Sequence, residues 1–147
     1  MNQKGLTLIE LIVVMVIITI GTTLVVPGVG AWIPRYRLKT ATRDIVSIMR
    51  VAQIKAVSQN TAYQVSFNPG ANSYVLQYQG SGGLWVNDGD AQPLPAGVNI
   101  SGITFAGNKA TFNPDSSATN GSVVLINTKG FQKVISLWGT TGRIKHG

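Results

Sequence analysis

The chain has no cysteine, a single histidine and only five acidic residues among 147. Without cysteine there is no disulfide framework and no thiolate to act as nucleophile or metal ligand. The histidine, His146, is the penultimate residue, where a mobile tail is expected, and no Ser-His-Asp set can be built around it. The one close carboxylate pair, Asp88 and Asp90 in Asn87-Asp88-Gly89-Asp90, offers too few ligands for calcium and is read as a turn. Gly80-Ser81-Gly82-Gly83 lacks the spacing and the Lys-Ser/Thr of a phosphate loop. These absences argue against an enzyme, and no cofactor or metal is expected. No internal repeat is apparent.

What is present divides sharply along the chain. Residues Leu6 to Val26 are almost wholly apolar, whereas Gln59 onward is rich in Gly, Asn, Ser and Thr. A length of 147 residues has room for one compact domain and one long membrane element. The formal charge of +7 suggests an anionic partner, lipid headgroups or nucleic acid, although scattered surface Lys and Arg give the same total.

Leu6 to Val26 holds fifteen Leu, Ile, Val or Met residues, four Thr, one Gly and one Glu. As a helix it spans roughly 31 Å, the thickness of a bilayer's hydrocarbon core. Its β-branched residues would favour a strand in water, but in lipid a lone segment can satisfy its backbone only as a helix. A transmembrane helix is therefore expected over residues 6–26. A secretory signal fits less well, because the run is long and no small-residue cleavage site follows it. Met1-Asn2-Gln3-Lys4-Gly5 puts the small residue before the run, so cleavage there keeps the helix on the mature chain.

Glu10 stands out, since a carboxylate in an apolar span is expensive unless it has a task. It lies near the helix start, where the macrodipole favours negative charge. Cleavage after Gly5 would create an α-amine at Leu6, one turn away. Glu10 could pair with that amine, pair with the amine of a neighbouring subunit, or simply reach the headgroup region.

Lys4-Gly5-Leu6-Thr7-Leu8-Ile9-Glu10-Leu11 resembles the processing signature of type IV prepilins and type II secretion pseudopilins. The first mature residue there is most often Phe, and here it is Leu6. The resemblance implies a leader over residues 1–5, removed by prepilin peptidase between Gly5 and Leu6, and N-methylation of Leu6. It also implies a single-pass protein of the bacterial inner membrane, with its C-terminal domain in the periplasm. Other major and minor subunits would join it in a hetero-oligomeric filament, with Glu10 as the assembly carboxylate. The charge count points the other way. Arg35, Arg37, Lys39 and Arg43 follow the apolar run and only Lys4 precedes it, which by itself places the C-terminal side in the cytoplasm.

Pro27, Gly28, Gly30 and Pro34 interrupt the helical pattern, so a kink or an unwound linker is expected at Pro27 and Pro34. Beyond them, Leu38, Ala41, Ile45, Ile48, Ala52 and Ala56 recur every three or four residues, predicting an amphipathic helix to about Ser58. Residues 27–59 thus form a kinked linker and helix. From residue 60 to 147 the period is two, as in Tyr63-Val65-Phe67 and Tyr74-Leu76-Tyr78. Turn signals at Asn68-Pro69-Gly70, Gly107-Asn108 and Lys129-Gly130 predict hairpins. Gly80–Gly83 and Asn113–Gly121 are read as mobile loops. The architecture is α+β: a long N-terminal helix packed on an antiparallel β-sheet domain.

The ending Trp138-Gly139-Thr140-Thr141-Gly142-Arg143-Ile144-Lys145 is similar to the Gly-Arg-x-Arg close of GspH/FimT-type minor pilins and pseudopilins, with Lys145 in place of the second Arg. That resemblance implies a low-abundance subunit near the filament tip, in a type II secretion pseudopilus or a type IV pilus. It also implies an alternative, a DNA-binding minor pilin of a transformation pilus. Arg143 and Lys145, with Lys129 and Lys133 on a predicted hairpin, are the candidate DNA contacts through phosphate. Trp138 would either stack on a base or belong to the core.

Overall fold

A computed structural model describes residues 7–147, with side-chain surroundings for all of these except 23–29 and 31. The chain divides into two compact units, residues 1–33 and Pro34–Gly147. Helix α1 covers Leu8–Ser58. The backbone is helical through Pro27 and Pro34, so the unwound stretch expected there is not present. A proline removes a single amide donor, and long helical runs on both sides hold the intervening turns. The division between the units falls at Ile33 and Pro34 instead.

In the second unit, Leu38, Ala41, Ile45, Met49, Ala52 and Ala56 of α1 are all buried. Their three- and four-residue spacing gathers them on one stripe, while the hydroxyl of buried Thr42 donates to the Leu38 carbonyl at 2.8 Å. The stripe shares one core with two antiparallel sheets rather than the single sheet expected. The first sheet runs β3-β2-β1-β6, with β4 also on β2. Its strands are β1 (Tyr63–Asn68), β2 (Ser73–Gln79), β3 (Trp85–Asn87), β4 (Gln92–Pro93) and β6 (Lys109–Phe112). The second runs β5-β7-β8-β9, from β5 (Val98–Ile103), β7 (Gly121–Asn127), β8 (Gln132–Trp138) and β9 (Arg143–His146).

Alternation explains most of these strands. Tyr63, Val65 and Phe67 are buried in β1, opposite Tyr78, Leu76 and Tyr74 of β2. Gln64, on the other face, is also buried. Its amide donates to Gln77 at 2.6 Å, and Gln77 donates to Asn87 at 2.8 Å. This amide ladder across β1, β2 and β3 satisfies the polar group that burial would otherwise penalise.

Three expectations need correction. Gly107-Asn108 does not close a hairpin: β5 pairs with β7 and β6 with β1, so this turn passes the chain between sheets. Phe105, just before it, is buried and stacks on Phe67 with ring centroids 6.1 Å apart. Burying that ring carries the chain across the core instead of back along its own sheet. Asn113–Gly121 is not loose. Asn113 donates its backbone amide to the Ser117 carbonyl and its side-chain amide to the Ser117 hydroxyl, the Ala118 amide donates to the Gly139 carbonyl, and the Thr119 amide donates to the Thr111 carbonyl. His146 is not a free tail, for it pairs with Ile135 in edge strand β9.

Candidate functional site

Of the apolar segment, the described residues begin at Thr7. The Glu10 amide lies 3.1 Å from the Thr7 carbonyl oxygen and 3.4 Å from its hydroxyl, so Thr7 caps the first turn of α1. The Thr7-x-x-Glu10 spacing is that of a capping box, a local meaning that the sequence reading of this stretch missed. Gly5 and Leu6, the expected cleavage and methylation positions, lie outside the described residues. Glu10 is exposed, and its carboxylate has no ion pair among the described residues.

Leu8, Ile9 and Leu11 to Ile18 are all exposed, Leu8 by 78%. An uncovered apolar surface of this kind requires lipid or protein around it. The hydroxyls in this stretch are satisfied from within. Thr19 donates to the Met15 carbonyl at 2.7 Å, and Thr22 lies 3.0 Å from the Ile18 carbonyl and 2.9 Å from that of Thr19. Among the described residues no helix is long and apolar enough to cross a membrane. The described side chains of the run stop at Thr22, and residues 23–26 of the expected span lie outside them.

The second surface is basic. The register of β8 and β9 sets Ser136 opposite Lys145 and Trp138 opposite Arg143, while Leu137 faces Ile144 and Ile135 faces His146. Ile135 and Leu137 are core residues, so alternation puts Arg143, Lys145 and Trp138 together on the outer face of this sheet. Trp138 is 56% exposed and not in the core.

Lys133 shares the parity of Ile135 and Leu137, so it points to the helix side with His146. There it lines a cleft of about 680 Å³ with Arg35, Lys39 and Arg43 of α1. The Arg35 guanidinium lies 4.1 Å from the centre of the Phe131 ring. Lys129 stands at the exposed tip of the β7–β8 hairpin, which buried Asn127 shapes by accepting from the Lys129 and Phe131 amides at 3.0 Å each. The four expected phosphate contacts therefore split: Arg143 and Lys145 share one face, Lys133 the other, and Lys129 the tip.

Gly142 makes the β8–β9 turn possible. It is buried with φ +59°, and a Cβ there would strike the Gln53 side-chain amide and lie 3.1 Å from the Ser116 carbonyl oxygen. The glycine ahead of the two basic residues thus lets this turn pack against α1 and the 113–121 loop, with Arg143 and Lys145 left outside. On the far side of the domain, Lys55 pairs with Asp88 at 2.7 Å, which commits that carboxylate. The bond to Asp88 raises the Lys55 pKa above its ordinary value.

A profile of the type II transport protein GspH matches residues 41–140, which cover the packed part of the helix and nearly all of both sheets. The chain belongs to the GspH family. Residues 1–26 match the prokaryotic N-terminal methylation motif. Solved structures agree in fold. The minor pseudopilin EpsH of the Vibrio cholerae type 2 secretion system superposes with a TM-score of 0.65 at 8% identity, covering 76% of this chain and 96% of that one. The Pseudomonas aeruginosa type IV minor pilin FimU gives 0.61 at 18% identity, over 77% and 90%. GspH of E. coli gives 0.63 at 12% identity, over 76% and 88%. No curated protein sequence matches significantly. The chain thus joins a prokaryotic N-terminal methylation motif to a GspH domain with a pilin-like α+β fold.

Proposed function

We propose that the chain is cut by prepilin peptidase between Gly5 and Leu6, N-methylated on Leu6, and held in the bacterial inner membrane by residues 6–26. The domain from Pro34 then lies in the periplasm, and the subunit joins other pilins or pseudopilins in a filament, near its tip. One observation carries this: an uncovered apolar helix surface whose threonines bond inward and whose one carboxylate, Glu10, stands exposed in the first turn. That surface suits lipid and packed helices, and Glu10 suits the amine of a neighbouring mature chain. The mass of the membrane-extracted chain tests processing: loss of residues 1–5 and gain of one methyl group are expected. An intact Met1 beside an active peptidase would sink the proposal. Glu10→Gln should leave the chain in the membrane fraction but deplete it from sheared filaments.

A second reading is favoured by the outer face of β8 and β9, where exposed Trp138 sits opposite Arg143 and beside Lys145. Two cations around an accessible indole suit single-stranded DNA, through phosphate contact and base stacking. A titration of the full chain in neutral detergent at several salt concentrations tests it. Arg143→Ala with Lys145→Ala should lower the slope of log K against log salt by about 0.7 per lost contact. Binding with an unchanged slope removes DNA from this face.

A further inference from the structure

The cleft beneath the end of the second sheet has a different chemistry from that outer face. Arg35, Lys39 and Arg43 are spaced by four along α1 and line one wall. Lys133 of β8 and His146 of β9 line the other, over Leu38 and Phe131. No Asp or Glu is among its lining residues, and the one ion pair among the described residues, Lys55–Asp88, lies elsewhere. Four unpaired cations around one concavity repel one another unless an anion joins them. The Arg35 guanidinium carbon sits 4.1 Å from the centre of the Phe131 ring, and a guanidinium presents a donor fork suited to phosphate.

We propose that this cleft binds the phosphate of an anionic phospholipid headgroup. Eight residues separate Val26 from Arg35, so even a fully extended chain keeps the cleft within about 32 Å of the end of the apolar run. A cleft of about 680 Å³ is too small to take in a double helix, whereas a glycerophosphate fits and its acyl chains can lie along the apolar floor. While Arg37 donates to the Ala96 carbonyl at 3.0 Å, the cluster accounts for the other three basic residues that follow the apolar run against the usual charge rule. In this proposal they serve a bound headgroup, not topology.

The inference rests on the reading of residues 6–26 as a membrane anchor, and the two can fail separately. Flotation of the full chain with phosphatidylcholine vesicles tests the anchor alone, and no association removes both. For the cleft, the full chain in neutral detergent micelles is titrated with dihexanoyl phosphatidylglycerol while the amide resonances of Phe131, Lys133 and His146 are followed. Saturable shifts at these residues are expected, reduced about tenfold or more in affinity by Lys39→Gln with Lys133→Gln. Arg143→Gln with Lys145→Gln, on the opposite face, should change affinity by less than about twofold. Equal weakening by both pairs would mean diffuse charge attraction and overturn the proposal. So would equal affinity for dihexanoyl phosphatidylcholine or inorganic phosphate, or shifts induced only by a single-stranded oligonucleotide.

Discussion

Gly142→Ala separates backbone strain from packing when set beside Gly130→Ala. Both glycines have positive φ, +59° and +81°, so any L-residue there meets the left-handed penalty, about 1 kcal/mol. Around Gly130 a Cβ would find open space, and Gly130→Ala should lose that amount alone. At Gly142 the Cβ must also displace the Gln53 amide and press on the Ser116 carbonyl, 3.1 Å away. Gln53 can swing aside, but Ser116 is backbone in a loop tied by several hydrogen bonds. An overpacking term of about 1–3 kcal/mol therefore adds to the strain, for a total of about 2–4 kcal/mol. For a domain of this size that lowers the melting temperature by roughly 10–20 °C. Thermal unfolding of the full chain in detergent, followed by near-ultraviolet circular dichroism, measures both variants. Adding Gln53→Ala to Gly142→Ala should restore only part of the loss, because the backbone contact remains. If Gly142→Ala is no worse than Gly130→Ala, the turn is not packed as described and the account of the Gly-Arg-x-Lys ending fails.

Phe105→Ala removes a buried ring stacked on Phe67 and lying against Gly121. It should destabilise the domain by about 3–5 kcal/mol in denaturant unfolding, and a loss below about 1 kcal/mol would show that the ring does not anchor the crossing between sheets. Alkaline pH should weaken the fold. Lys55 is raised above 10.5 by its bond to Asp88, and Tyr63 and Tyr74 are raised above 10.0 by burial. Each holds its proton more tightly folded than unfolded, so its contribution is complete below about pH 10 and lost as pH climbs through the folded pKa. A denaturation midpoint unchanged well above that pH would contradict this. Asp88→Asn should cost about 0.2–1 kcal/mol, since the pair with Lys55 is partly exposed, and the alkaline fall should become shallower.

Local pattern revealed the elements, and it failed where the choice of partner was not local. Leu38 to Ala56 carries its helical period in its own spacing, and the strands around Tyr63, Tyr74, Val123 and Ile135 carry theirs. Gly107-Asn108 has hairpin chemistry, yet which sheet each flank joins is decided by where Phe105 is buried, a tertiary choice. β3, β4 and β9 are short edge pieces whose residues have no strong alternation to read. Of the two places open to Trp138, base stacking or the core, the usual rule for strand aromatics favours the core, yet it is exposed. Its neighbours Ile135 and Leu137 show that register alone turned it outward, one residue out of step with the buried set. The helical run through Pro27 and Pro34 was hidden for a similar reason, because propensity weighs single residues and not the turns that flank them.

The same register separates two basic surfaces that net charge cannot tell apart. Along β8 and β9, one parity places Arg143 and Lys145 beside an exposed indole; the other places Lys133 and His146 under the sheet, facing Arg35, Lys39 and Arg43. A flat face with an aromatic suits a long polyanion that can spread and stack. A concave group of cations with an apolar floor suits a single compact phosphate carrying apolar chains. Because alternate residues of the same two strands supply both, a shift of one residue in the β8–β9 register would turn Arg143 and Lys145 inward and His146 outward while Lys133 and Trp138 keep their faces, which breaks up both sets. Gly142 fixes that register by fixing the turn. A variant strained there should therefore lose selectivity at both surfaces together, whereas charge removal on one face should leave the other intact.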